Sequence, residues 1–264
     1  MISVFRPASL VRATVALGAV VALAACASPA ASPSPSSTVV PSATVSPTPT
    51  PSPTPTPTET FDYLAHPLDD ATSIWVIVNK MFPLNPKSWV PTDLTTLSAI
   101  PEGSDQQMRA EAASALTQLY QAAKAQGAGF KISTAYRSYS FQKALYDPRA
   151  ASRGVAVADR TTARPGFSEH QSGLAVDIYN VTACRLQQCF GDSAPGKFVA
   201  AHAWEYGFVI RYPKDKEGVT GYVWEPWHLR YVGTDLSTAM HDSGVTTLEE
   251  FFGLPNAPDY AETP

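Results

Sequence analysis

The 264 residues carry 19 Lys and Arg against 23 Asp and Glu, a net charge of −4 at neutral pH, and 44% of them are hydrophobic. Basic residues nowhere cluster into a run, so the cationic footprint that phosphate binding requires is missing and a nucleic-acid partner is excluded. The length suits one globular domain with a substantial core, preceded by segments of different composition.

At the N-terminus, Arg6 and Arg12 precede an uncharged run of small and apolar residues from Ala13 to Ala25, the pattern of an export signal. The run is shorter than the roughly 20 residues that span a bilayer. It ends in Leu23-Ala24-Ala25-Cys26, which resembles a bacterial lipobox, so residues 1–25 are expected to be removed and Cys26 to become a lipidated first residue. Residues 26–58 follow as a linker, uncharged and built almost wholly of Ser, Thr, Pro, Ala and Val. Such a segment cannot build a core; extended as polyproline II it reaches on the order of 100 Å at ~3.1 Å per residue. A stalk and a passive disordered tail are both compatible with it. The folded domain is assigned to residues 59–254, with a C-terminal tail at 255–264.

Within the domain the clearest helix is expected from about Asp105 to Gln126, where Met108, Ala112, Ala115, Leu116, Leu119 and Ala122 recur at helical spacing. Ser104 and Gln107 read as its capping box and Gly127 as its stop. Phe130 to Tyr136 alternates as a strand that delivers Arg137 to the rim of a sheet, and a short helix from about Ser140 to Tyr146 follows. Further strands are expected at Leu174–Tyr179, Phe208–Tyr212 and Trp227–Val232, with a helix from about Gly196 to Tyr206. Helices mixed with antiparallel-looking strands give an α+β class, a central antiparallel sheet flanked by helices in a single small domain.

Two short segments concentrate the chemistry: Ser168-Glu169-His170-Gln171-Ser172-Gly173-Leu174-Ala175-Val176-Asp177, and Glu225-Pro226-Trp227-His228. In the strand Leu174–Tyr179, Asp177 is polar among apolar neighbours, and a buried aspartate needs a cation or hydrogen bonds. Gly173 permits a tight approach just before it. Two imidazoles, His170 and His228, together with Asp177 make a zinc donor set that leaves a fourth position for water, whose pKa the metal lowers to about 7. Glu225 is close enough in sequence to His228 to take the proton of that water. Three residues apart in one strand they would face opposite ways, so Pro226 must mark a turn or bulge before the strand begins. His66, His202 and His241 have no comparable carboxylate set, and the latter two are expected on helices facing solvent. Cys184 and Cys189 are expected to form a small disulfide loop in an oxidising compartment.

These motifs resemble those of the zinc D-alanyl-D-alanine carboxypeptidases of the VanY type, and they occur in the same order from Ile77 to Gly233. They are Val78-Asn79-Lys80 with Pro83-Leu84, Pro86, Pro91 and Asp93-Leu94; Ala135-Tyr136-Arg137-Ser138-Tyr139 with Gln142; Pro165 to Asp177; and Gly221-Tyr222 with Glu225 to Gly233. The resemblance implies a Hedgehog/DD-peptidase-like fold, one Zn²⁺ held by His170, Asp177 and His228, and Glu225 as catalytic base. It also implies Arg137, Gln142 and Ser168 as the groups that hold the terminal residue of the substrate. Arg137 suits that task because its planar fork grips a carboxylate; a structural salt bridge at the rim is the alternative reading. Tyr222 and Trp227 are either pocket walls or core aromatics.

The expected protein is therefore a monomeric zinc peptidase, lipid-anchored at the outer face of the membrane within the cell wall, acting on peptidoglycan stem peptides. Pentapeptides (D,D cleavage) and tetrapeptides (L,D cleavage) both fit. A non-catalytic cell-wall binding module on the same fold is the competing class, against which the presence of Glu225 counts. Ser140-Phe141-Gln142-Lys143 matches the S-x-x-K of serine penicillin-binding enzymes, but neither Lys-Thr-Gly nor Ser-Asp-Asn accompanies it.

Overall fold

A computed structural model describes residues 61–261. The expected signal, Cys26 and the linker up to residue 58 lie outside the described residues, and no helix among those described is long and apolar enough to cross a membrane. Four antiparallel strands form the sheet that organises the domain: β3 (Lys131–Thr134), β4 (Ala175–Tyr179), β5 (Phe208–Ile210) and β6 (His228–Tyr231), in the order β3-β4-β6-β5. A separate hairpin-like pair, β1 (Leu94–Thr96) with β2 (Gln107–Arg109), precedes it.

Period-2 alternation divides the sheet into an apolar and a polar face. Val176 and Ile178 of β4 and Leu229 and Tyr231 of β6 enter the main core, where they meet helix α1 (Ala110–Ala125). Ala112, Leu116 and Leu119 of α1 are fully buried there, as the helical spacing predicted; Ala115 and Ala122 are only partly buried, and Ala123, outside the expected stripe, is buried instead. Asp177, His228 and Arg230 alternate with those residues and so occupy the other face. α+β architecture with a central antiparallel sheet is thus the observed fold.

The start of α1 differs from the expected one. Gln107–Arg109 pair with Leu94–Thr96 instead of forming the first helical turn, and the helix begins at Ala110 with no side-chain cap at Arg109. The reason is a set of long-range partners: β1 pairs with residues 107–109, the Arg109 amide donates to Gly173 O, the Gln107 carbonyl accepts from the Tyr136 amide, and the Gln106 side-chain Oε1 accepts from the Ala135 amide at 3.0 Å. Arg109 itself pairs with Asp93 and donates to Thr72 O. The capping box Ser104/Gln107 is therefore not formed.

The second helix, α2 (Tyr139–Arg153), is longer than the expected Ser140–Tyr146 and runs through Pro148. Proline removes one donor to the carbonyl four residues back, which the rest of the helix tolerates here. Ser138 caps α2 by accepting from the Phe141 amide. After it come α3 (Val155–Asp159), α4 (Ala194–His202), α5 (Glu217–Thr220), α6 (Thr234–Ser243) and α7 (Leu248–Phe251). α4 continues as a 3-10 turn to Tyr206 and ends at left-handed Gly207, so the segment closes where the expected Gly196–Tyr206 helix does. Beyond Leu254, Ala257 and Tyr260 pack back on the domain, with the Ala257 amide donating to Val219 O and the Tyr260 hydroxyl accepting from the Arg164 amide.

Candidate active site

Adjacent strands bring the ligand candidates together. Asp177 of β4 lies directly across the ladder from His228, the first residue of β6, and on its other side faces Thr134 of β3. His170 comes from the 3-10 turn Glu169–Ser172, whose end at Gly173 (φ 72°) is left-handed. A side chain at Gly173 would press on Arg109, Leu94 and Pro91 at 3.0–3.2 Å, so glycine lets this turn pack close to β1 and β2. The expected turn before β6 is present as well: the His228 amide donates to Glu225 O across Pro226-Trp227, and this turns both side chains to one side.

The ligand atoms of His170, Asp177 and His228 all lie within 4.8 Å of one another, and all three residues are buried. His170 presents Nε2 to Asp177 at 3.4 Å, while its Nδ1 is 2.7 Å from Ala135 O. His228 presents Nδ1 to Asp177 at 3.0 Å, while its Nε2 is 3.4 Å from Glu169 Oε2. Each imidazole thus has one nitrogen tied to a neighbouring acceptor and the other turned to the common centre, the usual outer support of a metal-binding histidine. Asp177 lies between the two imidazoles, its Oδ2 toward His170 and its Oδ1 toward His228.

Electrostatics ask for a cation at this centre. Burial drives His170 down to about 4, helped by the charge of Arg137, so its imidazole is neutral and free to bind. Burial also opposes a charge on His228, but hydrogen bonds to Asp177 and Glu169 outweigh it and hold that imidazole up, at about 9. Against the cost of its own burial, Asp177 is held well below the usual carboxylate range by His170 and His228. A buried carboxylate between two imidazoles calls for positive charge at their common centre, and this donor set fits Zn²⁺.

Glu225 stands beside the cluster, its Oε2 3.9 Å from His228 Nδ1, with no hydrogen bond to its carboxylate among the described residues. Burial pushes it up to about 8, with the charge of Asp177 adding to the shift and His228 and Arg137 opposing it. Arg137 is half-buried, and its Nε has no partner. Both line one cleft of about 820 Å³ together with Ser168, His170, Asp177 and His228.

A family model described as VanY, D-alanyl-D-alanine carboxypeptidase, matches residues 105–234. YodJ of Bacillus subtilis (strain 168), itself assigned only provisionally as a carboxypeptidase, is 40% identical over 190 residues, covering 70% of this chain and 69% of its own length. The chain belongs to the VanY family of D-alanyl-D-alanine carboxypeptidases. Among solved structures, the LdcB LD-carboxypeptidase is matched with a TM-score of 0.65 and 40% identity, over 69% of this chain and 87% of that one. A variant of the vancomycin-resistance D,D-pentapeptidase VanY from a VanB-type cassette, solved with Zn(II), is matched with a TM-score of 0.56 and 30% identity, over 67% of this chain and 97% of that one. As a VanY-family member the protein is a zinc carboxypeptidase, and the His170, Asp177, His228 cluster is where its chain offers the ion a site.

Other expected residues of this VanY-family site are distributed as follows. Gln142 is wholly buried in α2, where its Nε2 donates to Ala163 O at 2.8 Å and its Oε1 has no partner. It does not line the cleft directly; it holds the loop that leads to Ser168. Tyr222 and Trp227 line the cleft and are also buried, Trp227 as part of the main core. Cys184 and Cys189 are bonded to each other. His202 pairs with Glu205 and His241 stacks on Trp204, both away from the cluster.

Sequence reasoning missed the layer beneath the ligands. Glu169 is fully buried and accepts from Arg211 Nε at 2.8 Å and Arg230 Nη1 at 2.9 Å, while Arg211 grips Glu249 with two parallel bonds at 2.6 and 2.9 Å. Asn79 completes the network by donating to Glu249. Burial alone would raise the Glu169 pKa, but the two guanidiniums hold it far below the usual range, so Glu169 stays ionised behind His228. A signal was available: Arg211 and Arg230 each fall within a segment expected as a strand, 208–212 and 227–232, and are the one Lys or Arg in it.

Proposed function

We propose that this enzyme hydrolyses the last peptide bond of peptidoglycan stem peptides and releases a C-terminal D-alanine, with Glu225 as general base. The observation that carries the reading is Glu225 itself, unpaired, raised toward neutrality and 3.9 Å from the metal-facing nitrogen of His228. A base works best with a pKa near the operating pH, and a bound divalent ion draws a raised carboxyl back toward that range.

His170, Asp177 and His228 would hold one Zn²⁺. When bound, the ion supplies Lewis acidity, which makes a water molecule more acidic and polarises the scissile carbonyl. Glu225 then accepts a proton from water at its carboxylate oxygen and hands it to the nitrogen of the departing amine. Arg137, whose side chain lines the same cleft, pairs with the terminal carboxylate of the substrate or with the oxygen that gains charge during attack. Ser168 adds a neutral hydrogen bond, and Gln142 acts by fixing the loop around Ala163.

Tetrapeptide (L,D) cleavage has one observation in its favour: the LdcB structure is matched at 40% identity, against 30% for the D,D-pentapeptidase. A non-catalytic binding module would have no use for a base beside the metal. Outside the described residues, Cys26 carries a lipid that holds the enzyme at the outer face of the cytoplasmic membrane, and the 26–58 segment links it to the catalytic domain, which acts as a monomer. Incubating the zinc-loaded chain with defined penta- and tetrapeptides and weighing the products tests the reading. Loss of one terminal alanine is expected; no mass change in either peptide would sink it.

A further inference from the structure

Nine arginines lie among the described residues, and five of them, Arg109, Arg160, Arg164, Arg211 and Arg230, have a carboxylate within 4 Å. The other four, Arg137, Arg149, Arg153 and Arg185, have none among the described residues, and all four line the active-site cleft. The acids that line it, Glu169, Asp177 and Glu225, belong to the floor around the metal ligands, and the rims carry no acid. A chain of net charge −4 thus gathers its uncompensated guanidiniums around one concavity. Clefts lined by one sign of charge focus their field on a ligand of the opposite sign.

The placement is ordered. Phe141, Leu145, Arg149 and Arg153 recur every four residues along α2 and all reach the cleft, so one helix face forms a rim that is apolar near Arg137 and cationic farther along. Arg185 stands in the loop closed by the Cys184–Cys189 disulfide. Neutral groups hold two of these side chains without cancelling their charge: Arg149 donates to Thr162 Oγ1, and Arg185 donates to the Ser133 hydroxyl and carbonyl. A terminal carboxylate needs only Arg137. The remaining three call for further anionic groups on the same ligand.

We infer that Arg149, Arg153 and Arg185 form a carboxylate-reading subsite for stem-peptide residues upstream of the cleaved bond, so that stems with free acidic groups are preferred to amidated ones. Successive side chains of an extended peptide point to opposite sides, which brings carboxylates on neighbouring residues within reach of the helix and of the disulfide loop. This rests on the peptide substrate proposed above.

The zinc-loaded full chain is given two stem peptides that differ only in whether their upstream carboxylates are free or amidated. A preference of about tenfold or more in kcat/KM for the free form is expected, mostly through KM and weakening as salt rises. R153Q is the cleanest variant, since Arg153 makes no side-chain hydrogen bond among the described residues; with R149Q and R185Q it should lower the preference by up to about fivefold for each exposed arginine. Turnover of both peptides at equal kcat/KM would overturn the subsite and leave the carboxypeptidase reading intact. No turnover of either, with no difference in their calorimetric binding, would overturn both. Stronger competition by poly(glycerol phosphate) than by the acidic peptide would assign the arginines to a phosphate polymer instead, which also overturns the subsite.

Discussion

At the scale of single residues, two substitutions separate holding the metal from moving the proton. Glu225→Gln keeps size and hydrogen-bonding capacity but removes the ability to accept a proton, so zinc content should stay near one per chain while kcat falls by roughly 10² to 10⁴. His170→Ala removes a donor whose other nitrogen is anchored on Ala135 O, and metal analysis should find the zinc lost. A metal-poor Glu225→Gln protein would mean that base and ligand have been exchanged in the assignment. Arg137→Lys retains a charge without the planar fork; with the Nε position already unpartnered in the protein, little structure is lost, and kcat/KM on a peptide with a free C-terminus should fall at unchanged fold and zinc content. Unchanged kinetics would reduce Arg137 to a structural cation.

At the scale of elements, the sheet is two-sided in function as well as in packing. Leu229 and Tyr231 of β6 seal the core, while His228 and Arg230 on its other face carry a ligand and the support beneath it. Glu169 ties the turn that bears His170 to β6 and to Arg211, just past β5, with all three charged groups fully buried. Breaking such a network strands the remaining charges, at a cost of about 3–5 kcal/mol. Glu169→Gln should therefore lower the unfolding midpoint. It should also weaken zinc binding by roughly 10- to 100-fold in a chelator competition, because His228 loses the anion that fixes its Nε2. Destabilisation without any change in zinc affinity would show that the network only packs. The Cys184–Cys189 loop is a smaller element: closing so short a span contributes about 3 kcal/mol or less, and replacing both cysteines by serine should cost no more than that in denaturant melts.

At the scale of the whole molecule, the residues before the domain decide where the enzyme works. A lipid on Cys26 would tie the catalytic domain to the membrane through the charge-free segment 26–58, whose greatest reach as polyproline II is on the order of 100 Å at ~3.1 Å per residue. Cys26→Ser should release the chain from the membrane fraction while leaving the activity of the solubilised domain unchanged. An unmodified mature N-terminus elsewhere, found by mass spectrometry of the native protein, would refute the anchor.

Local pattern by itself determined the apolar stripe of α1, the strands around Asp177 and His228, the turn forced by Pro226 and the residues able to bind zinc, because each depends on spacing within a short window or on chemistry carried by one side chain. Tertiary structure alone decided three things. Residues 107–109 became a strand because their partner, β1, lies across an intervening loop that periodicity does not register. Glu169, Arg211, Glu249 and Arg230 became one buried network because four separate segments meet beneath the ligands, and a charge reads as surface until its counter-charge is located. The four uncompensated arginines became one rimmed cleft for the same reason: whether a guanidinium is already paired is a property of distance in space, which the order of residues along the chain does not contain.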